Sequence, residues 1–308
     1  MKASLPVPWH IRDEWAPLEA VMVGIGRGMG GVPDIEETYD PKSREHVLAG
    51  TYPTEADVTR ELDGLAELLD KEDVLVLRPD TLGINQVFTR DIGIVIGNEF
   101  IMTHMVEDRR PEQQGLNTML HRNPGRVLHP PATVRMEGGD VMPMNGRLWV
   151  GYSGPQDFER FTTARTNAAA LDWLQMEFPD WEVRGFELAK SDTDPRRNAL
   201  HLDCCFSPLG LGHAIFHPQG LKHAEDVEFI RQQFPGDKRL EVTAEEMYHM
   251  NCNLFSVAPD VVVSGLGFNR VNAQLRDWGY RVLELPYNET AKMEGLLRCT
   301  TLPLRRTP

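Results

Sequence analysis

Apolar positions along this chain come in short paired runs rather than in long amphipathic stretches. Runs at 92–96 and 100–105 flank Gly97-Asn98, and runs at 141–144 and 148–152 flank Asn145-Gly146. Two further pairs, 200–206 with 213–216 and 254–257 with 261–263, flank Pro208-Leu209-Gly210 and Ala258-Pro259-Asp260. Short β-branched and aromatic runs around such turn residues predict hairpins. Each pair precedes an amphipathic stretch of helical length, at about 110–121, 160–178, 223–234 and 268–279. One more apolar strand follows each helix, at 126–128, 181–186, 240–242 and 281–285. The unit is strand–strand–helix–strand, and it occurs four times.

A fifth unit is divided between the termini. Residues 20–23 read as a strand, 55–70 as a helix with Leu62, Leu65 and Leu69 at helical spacing, and 74–77 as a strand. The run 296–304 can supply the missing strand. Five similar units, one completed by the chain ends, predict a closed ring of small sheets in one α/β domain over 1–308. A plain two-domain α/β protein is the alternative.

Composition narrows the class without naming it. At 41% apolar and 25% charged, the 308 residues can bury a sizeable core, which excludes disordered, collagen-like and coiled-coil chains. No stretch approaches the roughly 18 uncharged apolar residues of a membrane span. The start, Met1-Lys2-Ala3-Ser4-Leu5-Pro6, has no apolar core of a secretory signal. Four cysteines, two of them adjacent, suit a reduced, cytoplasmic protein better than a disulfide scaffold. The 32 basic against 46 acidic residues give a charge of −14, which repels nucleic acid and acidic membranes.

Several segments are candidates for chemistry. Gly24-Ile25-Gly26-Arg27-Gly28-Met29-Gly30-Gly31 contains a formal GxGxxG after a strand, but no amphipathic helix is expected until about residue 55. A flexible loop over a cleft is the better reading than a dinucleotide site. In His201-Leu202-Asp203-Cys204-Cys205-Phe206, read as a strand, His201, Asp203 and Cys205 share one face. That His/Asp pair is either structural or catalytic. Zinc is disfavoured, because no CxxC or HxxxH spacing accompanies the ligand-type residues. Glu137-Gly138-Gly139-Asp140 places two carboxylates around a kink, and Phe88-Thr89-Arg90-Asp91 holds the same place in its own unit. Cys299 follows Arg298, and a neighbouring cation favours a nucleophilic thiolate. Asp91, Glu137, His201 with Asp203, and Cys299 thus lie at corresponding edges of different units, which a ring aims at one point.

Taken in order, Phe88-Thr89-Arg90-Asp91, Glu137-Gly138-Gly139-Asp140, His201-Leu202-Asp203 and Arg298-Cys299-(x2)-Leu302-Pro303 resemble the guanidino-group-modifying superfamily. That superfamily includes arginine deiminases, dimethylarginine dimethylaminohydrolases and amidinotransferases. Residues 14–24 also resemble its opening strand, particularly that of the amidinotransferases. The resemblance implies a five-bladed α/β propeller, the pentein fold, built of ββαβ units. It implies Cys299 as nucleophile, His201 as general acid/base and Glu137 as the carboxylate orienting His201, with Asp140 as its rival. It implies Asp91 and Asp203 gripping a guanidinium, Asn85 contacting a substrate carboxylate, and Arg165 in an arginine-threonine motif near the substrate. No cofactor or metal is implied, and the partner expected is a small guanidino molecule, with homo-oligomerisation left open. The single glycine in Lys292-Met293-Glu294-Gly295-Leu296-Leu297 and the absence of a long helical insertion depart from arginine deiminases. Both departures put free arginine in doubt as substrate. The implied activity is a cysteine-dependent hydrolysis, with amidino transfer to an amine as the alternative and a non-catalytic binding module as the remote one.

Overall fold

Asn145 and Gly146 both take positive φ, 51° and 83°, and reverse the chain between the strands Val141–Pro143 and Arg147–Tyr152. Such a turn needs two left-handed residues, and Asn-Gly supplies them at the lowest steric cost. The computed structural model describes residues 6–123 and 125–308. Within them the hairpin recurs, each time followed by a helical segment and a third strand pairing parallel to the second.

Five three-stranded sheets result. Glu99–Met102, Arg147–Tyr152, His213–Phe216 and Val261–Gly265 are the middle strands of four. Each lies between its antiparallel hairpin partner and its parallel crossover strand. In the fifth sheet Leu18–Val23 pairs antiparallel with the C-terminal strand Thr301–Arg306 and parallel with Leu75–Leu77. The chain ends complete this unit, and the whole is the five-bladed α/β propeller of ββαβ units that the sequence predicts. The helix Glu55–Lys71 illustrates the packing: Thr54 caps it through the Asp57 N–H, and Val58, Leu62, Leu65 and Leu69 bury one face. No helix among the described residues is long and apolar enough to cross a membrane.

Four expectations need correction. Residues 201–206 are not strand: Leu202–Cys205 is one helical turn, and the strand is Phe206–Leu209. The alternation that put His201, Asp203 and Cys205 on one face therefore fails. The expected helix at 160–178 is two helices, Pro155–Arg160 and Ala169–Glu177, with a loop between them. Asp192 holds that loop by accepting the Thr162 and Thr163 N–H groups and the Thr163 hydroxyl. The stretch at 110–121 is a 3₁₀ segment, Glu107–Leu116, with Pro111 inside it, followed by the α-helix Asn117–Arg122. Proline lacks the N–H that an α-helical ladder requires. After the glycine-rich run a helix comes earlier than expected, Pro41–Leu48, capped by the Asp40 carboxylate through the Ser43 N–H at 2.6 Å.

In every unit the residues just ahead of the first hairpin strand face the centre. These are Asp91 before Gly93–Ile96, Glu137 to Asp140 before Val141–Pro143, and His201 and Asp203 before Phe206–Leu209. Asn253 precedes Phe255–Ala258, and Cys299 precedes Thr301–Arg306. Their approach is close enough to exclude side-chain atoms: a Cβ on Gly138 would lie 2.0 Å from the Arg90 carbonyl oxygen. Gly138→Ala is therefore expected to lower unfolding stability by about 1–3 kcal/mol in denaturant melts. Gly31→Ala, where a Cβ would meet nothing within 4 Å, is the control that should melt like the unmodified protein.

Candidate active site

The five inner edges enclose one end of a cavity of about 830 Å³, whose wall includes Asn85, Asp91, Arg109, Arg165, His201 and Cys299. The backbone locks these edges together. The Arg90 N–H donates to the Cys299 carbonyl at 3.0 Å, and the Thr89 hydroxyl donates to the Thr300 carbonyl at 3.0 Å. Asn253, fully buried, clamps the cysteine: its side-chain oxygen accepts the N–H groups of Arg298 and Cys299 at 2.9 and 3.2 Å. Its amide nitrogen donates to the Cys299 sulfur at 3.1 Å and to the Asp203 carbonyl at 3.1 Å. The Cys299 thiol in turn lies 3.6 Å from Asp203 Oδ2.

His201 faces two carboxylates. Its Nε2 donates to Glu137 Oε2 at 2.8 Å, and its Nδ1 lies 3.8 Å from Asp91 Oδ1. Burial disfavours the imidazolium, but Asp91, Asp140 and Glu137 outweigh it and push the ring up to about 10. Glu137 is itself buried, yet Arg165, His201 and Arg109 hold its carboxyl well below the usual range. The carboxylate within hydrogen-bond reach of His201 is thus Glu137. Asp140 instead accepts the Leu202 N–H at 2.9 Å, and burial pushes its carboxyl up to about 6. That bond starts the helical turn which carries Asp203 and Cys204.

The expected residues divide into those on the cavity wall and those behind it. Asp91, Asn85, Arg165, His201 and Cys299 line it, while Glu137, Asp140 and Asp203 are buried behind. Asn85 accepts the Val87 N–H at 3.1 Å, and Arg165 reaches Glu137 at 3.5 Å and the Tyr39 carbonyl at 2.9 Å. Arg298 does not point at the sulfur, as its neighbouring position suggested. Its guanidinium is engaged by Glu14 at 2.9 and 3.1 Å, Asp203 at 2.8 Å, and the carbonyls of Gly139 and Val141. Cys205 packs in an apolar cluster away from the centre, and its thiol donates to the Leu202 carbonyl.

Three contributors escaped the sequence reading. Asn253 holds in the unit of Phe255–Ala258 the place that the other candidates hold in theirs, and that equivalence is the signal that finds it. Arg109 and Glu112 carried no such signal, being three residues apart in a segment read as an amphipathic helix. Arg109 donates to both Glu112 oxygens at 2.9 Å and to Asp91 Oδ2 at 3.0 Å, so a guanidinium of the chain itself rests on Asp91. Two ligand-type groups, Asp91 with Glu137 and His201, and His201 with Asp203 and Cys204, bring their atoms within 4.8 Å. Arg109 and Arg165 contact the carboxylates of the first group and Arg298 that of the second, so a divalent cation meets guanidiniums in both.

The family described as N,N-dimethylarginine dimethylhydrolase, eukaryotic, matches residues 51–306. The uncharacterized protein YkgA of Bacillus subtilis is 28% identical over 99% of both chains. The bifunctional arginine dihydrolase/ornithine cyclodeaminase ArgZ of Synechocystis is 27% identical over 71% of this chain, which spans 29% of that protein's length. Among solved structures, SxtG, an amidinotransferase from Microseira wollei, superposes with a TM-score of 0.75 over 98% of both chains at 18% identity. At that identity the likeness is one of fold.

A raised imidazolium has a measurable consequence. His201 binds its proton more tightly folded than unfolded, so its stabilisation is complete below about 6.5 and is lost as pH rises through about 10. In ¹⁵N NMR the His201 ring should remain an imidazolium through pH 8, and Glu137→Gln should move its titration to lower pH. A ring already neutral at pH 7 would contradict the geometry.

Proposed function

The chain belongs to the N,N-dimethylarginine dimethylhydrolase family, and we propose that it hydrolyses an arginine-like guanidino compound through a covalent intermediate on Cys299. The observation that carries this reading is the meeting of the Cys299 thiol with Asn253 and Asp203, and of His201 with Glu137 and Asp91, at one end of one cavity. We assign the reaction to a single domain over 1–308, a reading supported by the pairing of Leu18–Val23 with Thr301–Arg306. Four free cysteines, all buried, favour a reducing, cytoplasmic setting.

A guanidinium is protonated throughout the physiological range, so its binding site must satisfy a planar cation. Asp91 and Asp203 accept its N–H edges, the substrate taking over from Arg109 on Asp91. The Cys299 thiolate attacks the central carbon and a C–S bond forms, giving a tetrahedral adduct. The C–N bond to the departing nitrogen then breaks as the His201 imidazolium gives it a proton. What remains on Cys299 is a thiouronium cation, still held by the carboxylates. Neutral His201 takes a proton from water, whose oxygen attacks the same carbon. The C–S bond breaks, the thiolate and imidazolium are restored, and a ureido product leaves. A second proton departs with the released amine as its ammonium. Glu137 keeps the ring oriented through both halves and stabilises its charged form.

If an amine takes the place of water, the same first half ends in amidino transfer. Incubating the enzyme with guanidino donors, with and without glycine or ornithine, distinguishes the fates. Ureido product with ammonia or an alkylamine, independent of added amine, is expected. A new guanidino product formed only with amine would overturn the hydrolytic reading. Cys299→Ala should abolish turnover, and His201→Gln should lower it by about 10²–10⁴. A Cys299→Ala enzyme as active as the unmodified one would remove the mechanism altogether.

A further inference from the structure

Every hydrogen-bonding position of the Asn253 side chain is used, and the partners fix which way the amide faces. Its oxygen accepts from the N–H groups of Arg298 and Cys299, at 2.9 and 3.2 Å. Backbone N–H groups only donate, so the oxygen must lie on that side and the NH₂ group on the other. The NH₂ group presents one N–H to the Asp203 carbonyl at 3.1 Å and the second to the Cys299 sulfur at 3.1 Å. The backbone beneath is equally fixed. Met250 takes a left-handed conformation, φ 64°, and its carbonyl accepts the Asn253 N–H at 2.9 Å. Asn253 is fully buried, and in a low-dielectric interior a hydrogen bond to a charged atom counts for more than in water.

The other groups around the sulfur do little to favour charge on it. Both Asp203 oxygens lie beside it, at 3.6 and 3.7 Å. The Cys204 thiol touches Oδ1 of that carboxylate at 3.7 Å, and Cys299 and then burial push it well above the usual thiol range. Burial likewise raises the Tyr287 phenol, which bonds to the Thr300 hydroxyl at 3.0 Å. The Arg298 guanidinium is engaged by Glu14, Asp203 and two carbonyls, and Arg90 turns its Nε to the Arg298 carbonyl at 3.2 Å. His201 shares the cavity wall but gives its Nε2 to Glu137. Among the described residues, the Asn253 amide is thus the one nitrogen donor on the Cys299 sulfur.

Resting on the proposed function, we propose that Asn253 is a catalytic hydrogen-bond donor that stabilises the Cys299 thiolate. A hydrogen bond to a thiolate is stronger than the same bond to a thiol, so the donor favours loss of the thiol proton and offsets the repulsion from Asp203. When the C–S bond forms, the sulfur gives up its negative charge and the hydrogen bond weakens. When the C–S bond breaks, the electron pair returns to sulfur, and the N–H is already in place to receive it. One amide serves both the entry and the exit of the thiolate.

The test is the pH profile of Cys299 alkylation by iodoacetamide, an uncharged reagent that requires no turnover, read by peptide mass spectrometry. Asn253→Ala removes the donor without adding charge and should move the midpoint of the profile up by about one unit. Asn253→Asp keeps an acceptor for the two N–H groups but sets a carboxylate against the sulfur, and should move it further. Turnover of Asn253→Ala should fall about tenfold at pH 7 and recover in part toward pH 9, where His201 is still an imidazolium. An unmoved midpoint in folded Asn253→Ala, with a lower rate at every pH, would make Asn253 a structural clamp and overturn the proposal. If neither variant folds, NMR of the ¹⁵N-labelled unmodified protein decides. The Asn253 side-chain N–H resonance should shift through the pH range in which Cys299 titrates, and a resonance that stays still would overturn the donor. Failure of iodoacetamide to label Cys299 at any pH would instead overturn the proposed function beneath it.

Discussion

The buried guanidinium of Arg298 is the constraint on which the centre of the molecule depends. A cation 3% exposed must be paired and hydrogen-bonded throughout, or its burial is prohibitive. Glu14, Asp203 and the carbonyls of Gly139 and Val141 provide that pairing from three other parts of the chain. In doing so they fix the spacing of the inner edges. Arg298 holds Asp203 by its Oδ2, and both oxygens of that carboxylate lie beside the Cys299 sulfur, at 3.6 and 3.7 Å. Burial raises the carboxyl of Glu14, but Arg298 and then Arg90 bring it down to about 2.

The same rule organises the other side of the site. His201, Glu137, Asp91, Arg109, Arg165 and Glu112 are all buried, and each is compensated by another. A buried network of this kind is costly when any member is lost, so it specifies one arrangement closely. It is also a poor hydrophobic core. The apolar clusters lie outside it, under the helices, and the charged centre is what those clusters enclose. In the proposed reaction the substrate's guanidinium takes the place of Arg109 on Asp91, while Arg109 keeps its two bonds to Glu112.

Much of this was legible in the sequence where the causes are local. Asn145-Gly146 announces its turn because few other residues adopt two successive left-handed conformations, and the leucines of Glu55–Lys71 announce their buried face. The five-unit count follows from these local signals added together. What remained hidden has distant causes. Residues 201–205 have the composition of a strand but form a helical turn, because the Leu202 N–H is taken by Asp140, 62 residues away in the chain. The loop between Pro155–Arg160 and Ala169–Glu177 exists because Asp192 captures two of its N–H groups. Which way Arg298 points cannot be read from its place beside Cys299. Asn253 stands at a position that the repeat itself marks, though an asparagine by its residue type alone gives no sign of chemistry.

The central claim is that Cys299 carries the amidino carbon between the two halves of the reaction. Acid quenching during turnover of a guanidino substrate, followed by peptide mapping, tests this most directly. The account predicts an adduct of the amidino fragment on the peptide containing Cys299, at that residue. An adduct confined to Cys204, or product forming in steady turnover with no adduct on any cysteine, would contradict it.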